Sequence, residues 1–221
     1  MPMTLSRKEQ SVVTREAVLD SAEHLFSKNG VSKTTLEKIA QHANVTRGAI
    51  YFHFRNKNEL FAAMLDRAWQ PVHESLSNCT KHEDVSVMCA LREAVVTAIG
   101  TLRSDSRNRQ VTDILLNKSE FIDENARVIH CVRSNAQLAI SNIRQALQHG
   151  VQRGELSTAL DVNVIAQLIH AQLSGTVHDV LRYPYLSPVD SCICAIEALF
   201  LLIGEKYSMY LADASPQYSC T

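Results

Sequence analysis

Thr35-Leu36-Glu37-Lys38-Ile39-Ala40-Gln41-His42-Ala43-Asn44-Val45-Thr46-Arg47-Gly48-Ala49-Ile50-Tyr51-Phe52-His53-Phe54 is the stretch that decides the fold. Leu36, Ile39, Ala40 and Ala43 recur at helical spacing, which predicts a short helix with one buried stripe. Asn44 stands at its end, a residue type that accepts the positive φ of a sharp turn. Thr46 then supplies an N-cap for a second short helix, Arg47 to about Phe54. A small residue at Ala40 lets the two helices cross closely and Val45 plugs the corner, so 35–54 reads as a helix-turn-helix. Its second helix is held proud of the body, as entry into a DNA major groove demands. There Arg47 can donate bidentately to guanine, Thr46 can bond phosphate, and Gly48 and Ala49 permit close approach. Tyr51 and His53 can add backbone or methyl contacts, and Thr34 and Thr35 at the start of the first helix join the same DNA-facing set. The bland alternative is an ordinary αα-corner.

The flanks carry the same helical period. Upstream, Val18, Ala22, Leu25 and Phe26 line one face of a helix that stops at Asn29-Gly30, and Thr34-Thr35-Leu36-Glu37 reads as a capping box with Thr34 as the cap. Downstream, Asn56-Lys57-Asn58-Glu59 caps a long fourth helix whose apolar side is Phe61, Met64, Leu65, Ala68, Trp69 and Val72. Lys57 is read either as a solvated lysine or, with the amides that open this helix, as a phosphate contact. Arg7, Lys8 and Arg15 form either a basic arm toward DNA or a solvated tail. A polar lapse from Ser77 to Asp84 predicts a loop, and five more helices follow at about 85–103, 106–118, 124–152, 162–182 and 188–211. Gly154 suits a helix C-terminus and Ser187-Pro188 a helix start. No run alternates with period two, so the expected fold is all-α, about nine helices. The expected domains are 12–72, 73–212 and a frayed tail, 213–221.

Composition agrees. Gly and Pro together are 12 of 221 residues, few enough to favour long uninterrupted helices. Residues 1–70 carry a net +3 and 71–221 a net −4, so the basic end is the one suited to a polyanion. The longest apolar run, Ala198 to Ile203, is far shorter than the ~20 residues of a membrane span. Charged Arg7, Lys8 and Glu9 occupy the place of a signal peptide's apolar stretch, so no membrane association and a cytoplasmic location are expected. The six cysteines lack metal-ligand spacing and read as small buried hydrophobes; no metal and no cofactor are expected. A phosphate-binding glycine loop, His-Glu-x-x-His, Gly-x-Ser-x-Gly and Cys-x-x-Cys are all missing from the sequence, so catalysis has little support. A helical interaction protein that never touches DNA is the other alternative.

The first 70 or so residues resemble the DNA-binding domain of the TetR/AcrR family of bacterial transcriptional regulators. The likeness rests on Val45-Thr46-Arg47-Gly48-Ala49-Ile50-Tyr51-Phe52-His53-Phe54, Asn56-Lys57 and Glu59-Leu60. Asn44, where the family usually has Gly, and Phe52, where many members have Trp, depart from it; Phe52 is expected to keep the role of an aromatic plug. Asn108 to Phe121 is similar to the AcrR-like repressors of multidrug efflux pumps. The resemblance implies a homodimer formed by the last two helices, binding a palindromic double-stranded DNA operator. Those helices carry Ile165, Leu168, Ile169, Leu173, Val177 and Leu181, and Ile193, Ile196, Phe200, Ile203 and Tyr207; the alternative is that these apolar residues are core within one chain. It also implies a pocket for small hydrophobic inducers. Leu65, Trp69, Val72, Ala94, Ala98, Thr112, Leu116, Ala139, Asn142, Ile143, His170 and Ser174 are placed toward it, each equally able to be core, with His170 open between a ligand and a neighbouring carbonyl. Ligand that favours a tilted fourth helix would separate the two DNA readers and release the operator, derepressing the efflux-pump operon that the resemblance implies. Within the same family, the rival reading is a regulator of metabolic or lipid genes that answers an acyl or other metabolite.

Overall fold

The computed structural model describes residues 6–81, 84–103, 107–119 and 126–205, and among these it holds nine α-helices. They are α1 (Arg7–Asn29), α2 (Leu36–His42), α3 (Arg47–His53), α4 (Lys57–Asn78), α5 (Val87–Gly100), α6 (Arg107–Asn117), α7 (Ala126–Gln152), α8 (Val162–Arg182) and α9 (Val189–Glu205). A single 3₁₀ turn, Thr101–Arg103, follows α5. Tyr207, the tail 213–221 and the expected end of the last helix beyond 205 lie outside the described residues, as do Glu120 and Phe121.

Local chemistry sets most of the helix ends. Ser6 opens α1 by accepting from the Glu9 amide while the Glu9 carboxylate accepts from the Ser6 amide at 2.7 Å. Arg7 and Lys8 are therefore first-turn residues of α1 rather than a loose arm. Gly30 ends the helix at φ 80°, its amide donating to the Phe26 carbonyl. At α2 the cap is Thr35, whose hydroxyl accepts from the Lys38 amide; the expectation of Thr34 was one residue early. Thr46 caps α3 through the Ala49 amide at 3.1 Å. Asn56 accepts from the Glu59 amide at 2.9 Å to start α4, which continues to Asn78 and so shortens the expected loop.

Asn44 is the one non-glycine residue with positive φ among the described residues, at 53°. Its short polar side chain tolerates a conformation in which a β-branched residue clashes with its own backbone. Asn44→Val is expected to lower stability by about 1–3 kcal/mol, and Asn44→Gly to be close to neutral. Urea unfolding of the two variants at one protein concentration checks this; equal midpoints would show the turn to be unstrained.

The helices divide between two compact units, one within Met1–Gln70 and Asp105–Asn135, the other within Pro71–Ser104 and Ala136–Thr221. This division differs from the sequence boundary at 72/73, because α6 and the start of α7 share the first unit's core. Val111, Ile114, Leu115, Val128 and Cys131 pack in one cluster with Val18, Phe26, Ile39, Ile50, Leu60 and Met64. The second unit's core joins Leu91, Val95 and Ile99 of α5 to Ile143, Leu147, Ile165, Ile169, Ile196 and Phe200. Pro71, the first residue of the second unit, lies inside α4, where it has no amide hydrogen to give the Arg67 carbonyl.

The apolar residues expected to pair copies of the chain are largely intrachain core. Ile165, Ile169, Leu173, Ile196, Phe200 and Ile203 are buried in the second unit, and Val177 and Ile193 pack against them. Helical spacing accounts for the correction, since residues at i, i+4 and i+7 share one face and that face is consumed at home. The outward side of α8 and α9 instead shows Val164, Leu201 and Leu202, the last two 64% and 47% exposed.

Candidate nucleic-acid interface

Inside the first unit, α2 and α3 meet at a corner built from backbone and apolar contacts. The Val45 amide donates to the Ala40 carbonyl at 3.0 Å, and the half-buried Val45 packs on the core that contains Ala40. Ile50 and Phe54, four residues apart, are fully buried and pin α3 to this core. Everything facing away from them is exposed: Thr46, Arg47, Gly48, Tyr51 and Phe52, with Ala49 and His53 at the margin.

A polar cluster organises that face. Arg47 Nη2 lies 3.3 Å from Glu37 Oε1, its guanidinium sits over the Tyr51 ring at 5.6 Å, and the Tyr51 hydroxyl donates to the same Glu37 oxygen at 3.4 Å. Bonding to its own backbone amide holds the Glu37 carboxyl below the usual glutamate range, aided by Thr35, Arg47 and Tyr51 and opposed by desolvation. His53 is pulled below the ordinary histidine value by burial and by the charge of Arg15, so its ring is neutral at pH 7. Arg15 itself is half-buried over the Phe54 ring, at 5.5 Å, and is not part of a free arm.

Two members of the expected DNA-facing set make bonds within the chain. Thr34 is fully buried, its hydroxyl donating to the Gly30 carbonyl at 2.8 Å, so it cannot reach a duplex. Lys57 turns its ammonium inward, donating to the carbonyls of Val31 at 2.7 Å, Thr34 at 3.1 Å and Ser32 at 3.3 Å. An ammonium has three protons to donate, and these bonds strap the α1–α2 loop to α4. Burial correspondingly lowers its pKa. Phe52 reverses expectation as well: it is 79% exposed, and the aromatic plug is Phe54 at 2%. The sequence carried the signal, because Phe52 lies midway between Ile50 and Phe54 and so points away from the face those two share. Glu37, at the start of α2, joins this face although its place in the sequence marks it only as half of a capping box.

The expected ligand-facing residues fall in both units. In the first, Leu65 is fully buried, and the half-buried Trp69 donates its indole N–H to the Thr112 hydroxyl at 3.2 Å; Leu116 is half-buried. In the second, Ala94, Ala98, Ala139 and Ile143 belong to the core, Val72 packs against it, and Asn142 donates to the His73 carbonyl at 3.3 Å. His170 is half-buried, and burial lowers its pKa, which keeps it neutral. Ser174 departs from the set: one position past the core residue Leu173, it is exposed on α8. No helix among the described residues is long and apolar enough to cross a membrane.

A helix-turn-helix that offers an arginine, a tyrosine and a phenylalanine on the free face of its second helix, followed in the chain by a second helical unit, defines a DNA-binding regulator. Residues 18–64 match the family profile described as bacterial regulatory proteins, tetR family, and residues 86–186 match that of the MAATS-type transcriptional repressor C-terminal region. The chain is 35% identical to the HTH-type transcriptional regulator TtgR of Pseudomonas putida, over 82% of this chain and 87% of TtgR. Among solved structures it is similar to the SmeT–triclosan complex, with a TM-score of 0.77 and 28% identity over 91% of this chain and 93% of that one. It is also similar to NalD, the secondary repressor of the MexAB-OprM multidrug efflux pump in Pseudomonas aeruginosa, with a TM-score of 0.71 and 30% identity over 92% and 100% of the two chains. The chain belongs to the TetR family of bacterial transcriptional regulators.

Proposed function

We propose that the protein is a ligand-responsive repressor that binds a palindromic operator as a homodimer, controls a multidrug efflux operon and is released by small hydrophobic compounds. The observation that carries this reading is the free face of α3, where Arg47, Tyr51 and Phe52 stand exposed on a helix pinned by Ile50 and Phe54. Thr35, Thr46, Arg47, Gly48, Ala49, Tyr51 and His53 are the proposed DNA contacts. Arg47 reads a base edge, Thr46 bonds phosphate through the hydroxyl proton that its capping role leaves over, and Gly48 admits the backbone closely.

One seven-residue reading helix specifies too few bases to find a site in a genome, which is the physical case for a twofold dimer. The exposed side of α8 and α9 suits that contact: Val164, Leu201 and Leu202 are exposed on these helices, which also line a groove of about 310 Å³ whose walls include Ala171, Gly175, Ser191, Cys192 and Ala195 together with Gln172 and Asp179. Small residues let helices approach closely, and the exposed leucines supply area to bury. Repressors of efflux pumps recur among the relatives, including NalD, and SmeT is named with triclosan. Leu65, Trp69, Thr112 and Leu116 of the first unit, and Val72, Ala94, Ala98, Ala139, Asn142, Ile143 and His170 of the second, are the proposed ligand-responsive positions. Their apolar character favours flat, greasy compounds over sugars or ions. The coupling element is α4, which begins at Lys57 in the first unit and continues past Pro71 into the second.

The test selects a duplex from a random pool with the protein and measures its affinity by fluorescence anisotropy, with and without triclosan. A coupling of about 1–3 kcal/mol predicts that saturating triclosan weakens binding roughly 5–150-fold. Equal affinities with triclosan shown by calorimetry to be bound would dispose of induction by this compound, and failure to select any duplex would remove the DNA-binding reading.

A further inference from the structure

We propose that Glu37 is a specificity residue of the DNA-reading face, a built-in counter-ion that presets Arg47 and Tyr51 and penalises non-cognate DNA. This rests on the DNA-binding reading above. The carboxylate lies 3.3 Å from Arg47 Nη2 and accepts from the Tyr51 hydroxyl at 3.4 Å. Two side chains proposed to touch DNA thus converge on one acid in the free protein. All three residues are exposed, so the cluster lies on the face a duplex would meet.

The chemistry separates two kinds of DNA. Non-specific binding is chiefly neutralisation of phosphates with release of counterions. An acid on the binding face opposes it twice, by repelling phosphate and by occupying the arginine that would neutralise it. Cognate DNA is treated differently. A guanidinium has five N–H donors, and only one edge of Arg47 is turned to Glu37, so the fork retains donors for the two acceptors of a guanine edge. Holding the arginine by one edge also removes rotamer freedom that binding would otherwise have to remove. Glu37 therefore weakens phosphate-only contacts while leaving base reading available, and the ratio of operator to random affinity widens.

Glu37→Gln keeps size and hydrogen-bonding capacity but removes the charge, and Glu37→Ala removes both. Each is compared with wild type on the selected duplex and on a scrambled duplex of equal length, across a series of salt concentrations. Both variants should bind the scrambled duplex roughly three- to tenfold more tightly at low salt. Their log affinity against log salt for that duplex should steepen by about one per engaged protomer. Selected-duplex affinity should rise less than that or fall, narrowing the ratio. Glu93→Gln, an exposed acid in the second unit, makes the same change in net charge and should leave the ratio alone. Thermal melting confirms that the variants are folded; Glu37 is an exposed first-turn residue, and its loss removes no core contact. A ratio and slope unchanged in folded variants overturn the role of Glu37 while the DNA-binding reading stands. If wild type prefers no duplex over its scramble, both are overturned together.

Discussion

Arg47→Ala is expected to cost roughly 5–150-fold in affinity for the selected duplex per half-site, the equivalent of about 1–3 kcal/mol for one bidentate arginine–guanine contact. In a twofold dimer both half-sites lose the contact, and independent losses multiply. The expectation follows from where the side chain stands. Arg47 opens α3, its side chain is 72% exposed, and neither the buried Ile50 nor Phe54 depends on it for packing. The variant should therefore fold normally while its reading face is blank. The decisive measurement compares the selected and scrambled duplexes at matched salt. A base-reading arginine loses far more on the selected duplex, whereas a phosphate contact weakens both alike. Wild-type affinity in the variant would show that another residue of the face, with the exposed Tyr51 and Phe52 first in line, carries the specificity.

The helix-turn-helix was legible because its signals are local. Asn44 at φ 53°, the Thr46 cap and the Ala40–Val45 corner are all decided by residues within a few positions of one another, where backbone sterics and capping dominate. Two adjacent threonines defeated local reasoning only by one place: Thr34 and Thr35 are equivalent as caps in sequence, and burial against the Gly30 and Leu25 carbonyls chose Thr35. The carbonyl bonds of Lys57 were hidden for a different reason. Its partners lie 23 to 26 residues upstream, and nothing in the spacing says that three loop carbonyls would converge on it. The same limit hid the grouping of α6 with the first unit. Helical periodicity reports that Val111, Ile114 and Leu115 need burying but not which neighbours bury them. In α8 and α9 the longest apolar stripe is core within the chain, and the other side carries the two exposed leucines, a division that periodicity alone does not reveal.

The largest expected stability effect lies at Arg67, on α4, whose side chain is only 12% exposed. Its guanidinium meets three carboxylates of α1: Nη1 lies 2.6 Å from Glu16, and Nη2 lies 2.9 Å from Asp20 and 2.5 Å from Glu23. Arg107 of α6 closes the network through Asp20 at 2.8 Å and Glu23 at 3.1 Å. Glu23, with an 8% exposed side chain, is the member that cannot turn to water when its partner leaves. Arg67→Met preserves the aliphatic packing but leaves that carboxylate with Arg107 alone, and removing one partner of a buried pair costs about 3–5 kcal/mol. The remaining arginine places the expected loss near the lower bound, about 3 kcal/mol. Glu16 and Asp20 are far more exposed and can rehydrate, so they add little to it. Adding Glu23→Leu to Arg67→Met removes the stranded charge, and the double variant should recover more than half of the loss. Urea unfolding at a fixed protein concentration, needed because any self-association adds to apparent stability, measures all three forms. A loss below about 1 kcal/mol in Arg67→Met would place the whole network in the range of solvent-screened surface pairs. A double variant no more stable than the single one would mean that Arg67 acts through packing rather than by answering the charge of Glu23.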